Sequence, residues 1–472
     1  MGGMAATHRN PAPDGRAAAR STPDARGGVS PRRGVPLRGG VSPRRRSAVV
    51  RGGPAARRVA AGSVIAAVCA ASLAGCGAEG ADGGTHGPKV KQAPAARNAV
   101  RLIGDGSTAH TGAQPNLPRP ERLRPGQRPP QFVVFSWDGA GEDSQKLFSH
   151  FRKVAKANDA TMTYFLSGVY LLPEEKRDQY RPPQHAPGSS DIGFGDAQGI
   201  ADTVEQLRLA WQEGNEIGTH FNGHFCGADG GVGEWSVEEW KDEIRQAKRF
   251  VKTWRTNTGS TKAAPLPFDY DKELIGARTP CLEGRENFTE AAAEMGFRYD
   301  SSGVNQQVWP RKKNGLWDLS MQLVPFPGHS GEQLTMDYNF MVNQSGGTTQ
   351  GDPAMHETWG DEMRDGLLQG FRRAYDGNRA PLIIGNHFES WNGGTYMRAV
   401  EEVVEAVCTK QDVRCVSFRQ LADWLDAQDA GTLRKLRSLD VGEAPAKGWA
   451  SYLSADPAPA PKGAPGATAE KR

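Results

Sequence analysis

The stretch "QFVVFSWDGAGED", residues 131–143, decides the reading of the fold. Phe132-Val133-Val134-Phe135 is a short apolar run with the pattern of a fully buried strand. Gly139 and Gly141 end it. Asp138 is thereby left at the C-terminal end of the strand, a single acid at the rim of whatever sheet the chain builds.

Outward from this strand the pattern alternates. A helix is expected over 144–158, with Leu147, Phe148, Phe151, Val154 and Ala155 on one face, then a strand over "TMTYFLSG" (161–168). "DTVEQLRLAWQEG" reads as a helix ending at Gly214, where glycine suits the C′ position. "EIGTH" follows as a strand. Ser236 and Glu239 form a capping box for a helix carrying Val237, Trp240, Ile244, Ala247, Val251 and Trp254 on one stripe. "LIGARTP", a helix near 287–295, "RYDSS", "PLIIGNH", a helix near 396–408, "VRCVSF" and a helix at 418–428 complete the series. Strands alternating with helices predict an α/β fold with a mainly parallel sheet. With this many units, a closed or nearly closed β/α barrel is expected, its chemistry gathered at strand C-terminal ends.

The chain has 472 residues, of which 37% are hydrophobic and 24% charged, enough for one large domain with polar additions. The net charge of +4 is unevenly distributed: in residues 1–56 the many arginines are opposed only by Asp14 and Asp24. That segment is rich in Gly, Pro and Ala without apolar periodicity, and reads as a disordered basic extension rather than a nucleic-acid surface. Residues 57–76 resemble a lipoprotein-type signal peptide: Arg57-Arg58, an apolar stretch from Val59 to Leu73, and Leu73-Ala74-Gly75-Cys76 as a lipobox. A membrane anchor through lipid on Cys76, at the outer face of a bacterial membrane, is expected. The long preceding segment suggests that translation starts downstream, near Val49 or Val50. Residues 77–126 read as a flexible linker, 127–430 as the globular domain and 431–472 as an Ala/Pro-rich tail. Export leaves Cys226, Cys281, Cys408 and Cys415 in an oxidising compartment, which fits two disulfides, Cys408 with Cys415 and Cys226 with Cys281.

The polar exceptions fall at strand ends. Asp138 closes "FVVFSW", His220 closes "EIGT", Arg278 closes "LIGA" and His387 closes "LIIGN". In "EIGTHFNGHFCG", His220 and His224 are four apart, so a helical turn would place both rings on one face to share a metal. Phe221 stands where a zinc-protease HExxH motif needs Glu, which excludes that class. With Asp138 on a neighbouring strand, the set is His₂-carboxylate with positions free for water and substrate.

These segments, in this order from about 131 to 428, resemble the NodB-homology polysaccharide deacetylases, carbohydrate esterase family four. "EIGTHFNGH" looks like that family's second motif, whose histidines bind Zn2+ or another divalent metal. "GARTPCLEG…FTEAAAEMGFRYDSS" resembles the third motif, and "PLIIGNH" the last, whose His is the general acid. "VRCVSFRQLADWL" matches the closing strand and helix. The resemblance implies a distorted barrel of the NodB type, and implies Asp138, Arg278 and His387 as catalytic residues with His220, His224 and Asp138 as metal ligands.

The family's first motif is Thr-Phe-Asp-Asp-Gly, base then ligand; here "SWDGAG" has one Asp. One register makes Asp138 the base, with Gly139 at the ligand position. The other makes Asp138 the ligand, with Trp137 where the base belongs. The first is preferred because Ser136 replaces Thr and Trp137 replaces Phe. Glu142 or Asp143 is a candidate to compensate, and Arg278 to orient an acid, with Asp300 the accessible one.

The expected activity is metal-dependent removal of acetyl groups from N-acetylated amino sugars of a cell-envelope polysaccharide. The chain is expected to act as a monomer. A glycan-binding protein on the same fold is the alternative, and hydrolysis of a non-sugar amide a third. Trp235, Trp240, Trp309 and Trp317 are candidates for stacking on sugar faces. Trp240 falls on the apolar helix stripe and reads as core, so Trp309 and Trp317 are the better placed.

Overall fold

Strand β1 (Gln131–Asp138) is buried at every residue because both of its faces are covered. Successive side chains of a strand point to opposite faces. Val133, Phe135 and Trp137 accordingly enter the core beneath the helices, while Phe132 and Val134 enter a second core. Burying each of these side chains contributes about 1.5–3 kcal/mol. The run "FVVF" is therefore continuous rather than alternating. These positions belong to a computed structural model that describes residues 100–454. The expected extension (1–56), the signal segment (57–76), the start of the linker and the end of the tail lie outside the described residues.

From β1 the chain continues through α1 (Leu147–Ala157), β2 (Thr163–Leu166), α2 (Ala197–Gln212), β3 (Glu216–Thr219), α3 (Val237–Thr258) and β4 (Gly276–Ala277). Then come α4 (Arg285–Glu294), β5 (Tyr299–Asp300), β6 (Leu316–Asp318), α5 (Asp337–Ser345) and α6 (His356–Asp376). The series ends with β7 (Leu382–His387), α7 (Trp391–Cys408), β8 (Val413–Cys415) and α8 (Phe418–Ala427). The α3 capping box is present, with Ser236 and Glu239 each bonding the other's backbone N–H. α2 starts earlier than its apolar pattern suggested, because Asp196 accepts from the Gly199 N–H. Gly214, with φ 93°, follows the α2 C-cap as expected.

These strands form one parallel sheet in the order β7-β1-β2-β3-β4-β5-β6, with an antiparallel edge at Lys312–Lys313. One edge of β1 is divided: Gln131–Val133 pair with β8, and Ser136–Asp138 pair with β2. The sheet does not close by a backbone ladder. β4 and β5 are only two residues long, and the chain after them turns into a small separate sheet of 304–305, 321–325 and 332–334. That sheet meets β7 through one bridge, Met336 to Gly385, and through side chains. Ile383 N–H donates to Gln322 Oε1 at 2.8 Å, and Thr335 Oγ1 donates to the Ile383 carbonyl at 2.6 Å. The expected closed or nearly closed barrel is thus a curled, open sheet with a seam of side-chain hydrogen bonds.

Two expected boundaries move. Residues 101–103 and 108–110, assigned to the linker, form a hairpin on the domain. Trp254 Nε1–H donates to the Ser107 carbonyl at 2.9 Å, and Asp105 accepts from both N–H and hydroxyl of Thr256. The helix Ala430–Leu436 carries residues 431–436, assigned to the tail, and buries Leu433 and Leu436. Short polar segments carry no periodicity, so their docking was not legible. Both disulfides, Cys226–Cys281 and Cys408–Cys415, are present.

Candidate active site

The register places the polar strand ends side by side. His387 and Asp138 are direct Cα partners across β7 and β1. Thr219 pairs with Ala277, so His220 and Arg278 leave their strands next to each other. All four residues emerge at the same rim of the sheet.

Arg278 is fully buried, and its guanidinium has polar and aromatic partners. Nη1 donates to Asp138 Oδ1 at 2.8 Å, Nη2 to Ser301 Oγ at 2.8 Å, and Nε to the Ser301 carbonyl at 3.2 Å. Its Cζ lies 5.0 Å from the centre of the Phe165 ring. A guanidinium taken out of water is held only by such a set. Asp138 is 3% exposed. Burial pushes its carboxyl up, but Arg278, His220 and His387 together hold it below the ordinary Asp value, so it is ionised at neutral pH. Oδ1 is taken by Arg278, while Oδ2 makes no hydrogen bond to any described residue.

Asp300 is not the acid that Arg278 orients. It is buried against Arg285 and accepts the Ser302 N–H at 2.8 Å. Nor do the acids after β1 compensate for the missing one. Glu142 turns toward the start of α1, where Oε2 accepts the Ser149 N–H at 3.0 Å, and exposed Asp143 caps Gln145. Trp137 points away from the rim, stacked at 4.5 Å on Phe388, so the strand's alternation gives the rim to Asp138 and not to Trp137.

His220 is buried, and its Nδ1–H donates to the Arg278 carbonyl at 2.8 Å, which leaves the Nε2 lone pair unengaged. Residues 220–224 are not helical, contrary to the helical-turn expectation. Phe221 and His224 have φ of 62° and 59°, and this irregular turn, not a helix, brings the two rings to 5.0 Å. Burial, reinforced by His220 and His387, pushes His224 down to about 3, so it is a neutral imidazole at neutral pH. Two neutral imidazoles beside an ionised carboxylate fit a divalent cation in donor chemistry. The three-donor grouping with all atoms within 4.8 Å among the described residues is a different one, His224 with Cys226 and Cys281.

His387 has a partner that the sequence did not indicate. Asp337, fully buried at the first position of α5, accepts the His387 backbone N–H at 2.7 Å and the Nδ1–H at 2.8 Å. Burial pushes the imidazolium down, but Asp337 outweighs it, with smaller help from Asp138 and Glu389, and holds the ring at about 9. His387 is then an acid at neutral pH with Nε2–H left free of Asp337. An Asp opening a helix reads from sequence as a dipole or capping residue, so no local signal assigned it to the site. Trp391 and Tyr338 flank the ring at centroid distances of 5.4 and 6.3 Å.

Trp235, Trp240, Trp309 and Trp317 are all buried and offer no face to a glycan. Trp309 donates to the Asn378 carbonyl at 2.7 Å and Trp317 to Asp426 at 2.9 Å, inside a core that the irregular sequence around them did not reveal.

No protein-family model matches the chain, and no curated protein matches it. Solved structures do. A putative polysaccharide deacetylase from Mycobacterium smegmatis is 15% identical, with 66% of this chain and 96% of that one covered at a TM-score of 0.41. The peptidoglycan deacetylase PdaC from Bacillus subtilis is 13% identical, covering 66% and 98% at 0.34. A CE4 family pseudoenzyme from Bacillus anthracis is 10% identical, covering 69% and 73% at 0.33.

Proposed function

We propose that the chain is a NodB-homology deacetylase that hydrolyses N-acetyl groups of amino sugars in a cell-envelope polysaccharide, releasing acetate. The observation that carries this reading is one rim on which an ionised base, Asp138, and a protonated acid, His387, stand on neighbouring strands, each fixed by a buried partner. Hydrolysis of an amide needs both: a carboxylate to take a proton from water and an acid to protonate the departing amine. Arg278 keeps Asp138 charged and aimed. Asp337 keeps His387 charged and leaves Nε2–H to give its proton.

His220 and His224 would hold a divalent cation, Zn2+ by donor chemistry, with Asp138 the ionised carboxylate on the same rim. Such an ion polarises a carbonyl and acidifies bound water from about 15.7 toward 7. Gly139, with φ 65°, occupies the position after Asp138, so a second carboxylate is lacking there and Asp138 acts as base in this reading. That glycine also favours a second reading, a glycan-binding protein on the same fold with impaired catalysis. The reading extends to an exported protein held at the outer membrane face by lipid on Cys76 and acting as a monomer.

The test is metal content and turnover of the full-length chain. After dialysis against metal-free buffer, Zn2+ is titrated calorimetrically into the wild type and His220→Ala, and acetate release from N-acetylglucosamine oligomers is followed. One ion per chain, lost in His220→Ala, together with acetate release supports the deacetylase. Binding of the oligomers without acetate release supports the second reading. Neither binding nor turnover removes both.

A further inference from the structure

Residues 224–231 and 279–284 form two loops beside the rim, and one imidazole and two cysteine sulfurs meet there. His224, Cys226 and Cys281 bring their ligand atoms within 4.8 Å of one another, and the Cys226 sulfur lies 3.6 Å from His224 Nδ1. In the oxidised protein the two sulfurs are joined, and a disulfide sulfur is a poor metal donor. Both cysteines are exposed, so a reductant can reach them.

The loops do not depend on the disulfide alone for their approach. The Gly227 N–H donates to Glu283 Oε2 at 2.9 Å, and Asn287 Nδ2 donates to the Trp235 carbonyl at 2.8 Å. Gly284 lies so close to Val232 that an added Cβ would stand 2.2 Å from the Val232 carbonyl oxygen. These contacts leave the two sulfurs neighbours when the bond between them is broken.

We propose that Cys226, Cys281 and His224 form a reduction-gated site for a thiophilic divalent cation such as Zn2+. A dithiol reductant transfers two electrons and two protons to the Cys226–Cys281 bond, giving two thiols and its own disulfide. Metal binding then releases the thiol protons and forms two metal–sulfur bonds and one metal–nitrogen bond, a Cys₂His set with one position for water. A neutral imidazole has one lone pair to give, so filling the site withdraws His224 from His220. The disulfide therefore reserves His224 for the rim. The binding claim stands independently of the deacetylase reading; only this consequence rests on it.

The test uses Co2+ as probe in the full-length chain, because cobalt bound by thiolates gives a near-ultraviolet sulfur-to-metal charge-transfer band that His and carboxylate ligands do not. The protein is reduced with a phosphine, desalted anaerobically and titrated, with circular dichroism as a check on the fold. The band is expected at one ion per chain in the reduced wild type, in reduced His220→Ala and in reduced C408S/C415S, and not in the oxidised protein. His224→Ala is expected to weaken Co2+ binding by about tenfold or more. No band in the folded, reduced wild type overturns the proposal, as does its loss in C408S/C415S, an affinity unmoved by His224→Ala, or loss of the fold on reduction. Failure of the rim reading would appear elsewhere, as Zn2+ binding to the oxidised chain that His220→Ala leaves intact.

Discussion

Replacing Asp337 by Asn removes one buried charge and leaves a side chain of the same shape against His387. In the wild type His387 is held at about 9, against 6.5 for an ordinary histidine. At about 1.4 kcal/mol per unit, that gap corresponds to roughly 3 kcal/mol favouring the protonated ring in the folded state. Burial works against it, Asp138 and Glu389 supply part of it, and the imidazole is about a quarter exposed. Asp337 is therefore worth about 2–3 kcal/mol.

The sign follows from the direction of the shift. A histidine raised on folding contributes stability that is complete below its unfolded value and is lost as pH rises through its folded one. The metal-free wild type should lose about 2–3 kcal/mol of stability between about pH 6.5 and 9 from this residue, and Asp337→Asn should lose little. Urea unfolding of both proteins from about pH 6 to 10 reads the difference. The wild type should be ahead by the full amount at the acid end, and the gap should close as pH rises. In acetate release, the alkaline limb of the variant should fall about one to two pH units lower than that of the wild type. A stability gap independent of pH, or a wild-type His387 that titrates near the ordinary value by NMR, would refute the reasoning.

Asp138→Asn keeps the hydrogen bond to Arg278 but cannot take a proton, so acetate release should fall about 10²–10⁴-fold, with oligomer binding measured alongside as the control. Arg278→Ala leaves Asp138 buried and unpaired and should cost about 3–5 kcal/mol in urea unfolding; a loss below about 1 kcal/mol would mean that solvent reaches the pair. C408A/C415A opens a short loop and should cost about 2.5 kcal/mol by loop entropy, with no change in metal binding at the rim. Trp317→Phe loses the bond to Asp426 and should lower stability by about 1–2 kcal/mol without altering glycan affinity, since the ring is buried; weaker glycan binding would contradict its placement.

The alternating strands and helices outside 303–380, and the buried stripes of α1 and α3, were legible in the sequence because they depend on neighbours a few residues apart, whereas β6, the small sheet, α5 and α6 were not read from it. Continuous apolar runs such as Phe132–Phe135 mark a strand covered on both faces, and a strand that ends in Asp, His or Arg delivers that group to the rim. The two disulfides fit the expectation drawn from the even count of cysteines after residue 76. What the sequence left open depends on residues far apart in the chain. Arg278 chose Asp138, 140 residues away, over nearby Asp300 because the register of the strands between them set which carboxylate it meets. Asp337 reaches His387 across 50 residues through the seam of the curled sheet, where no ladder or periodicity announces it. The His220–His224 spacing suggested a helix, yet positive φ at Phe221 and His224 made the pairing by a turn. Local pattern encodes which face a side chain takes; only the packed fold decides which distant charge it finds there.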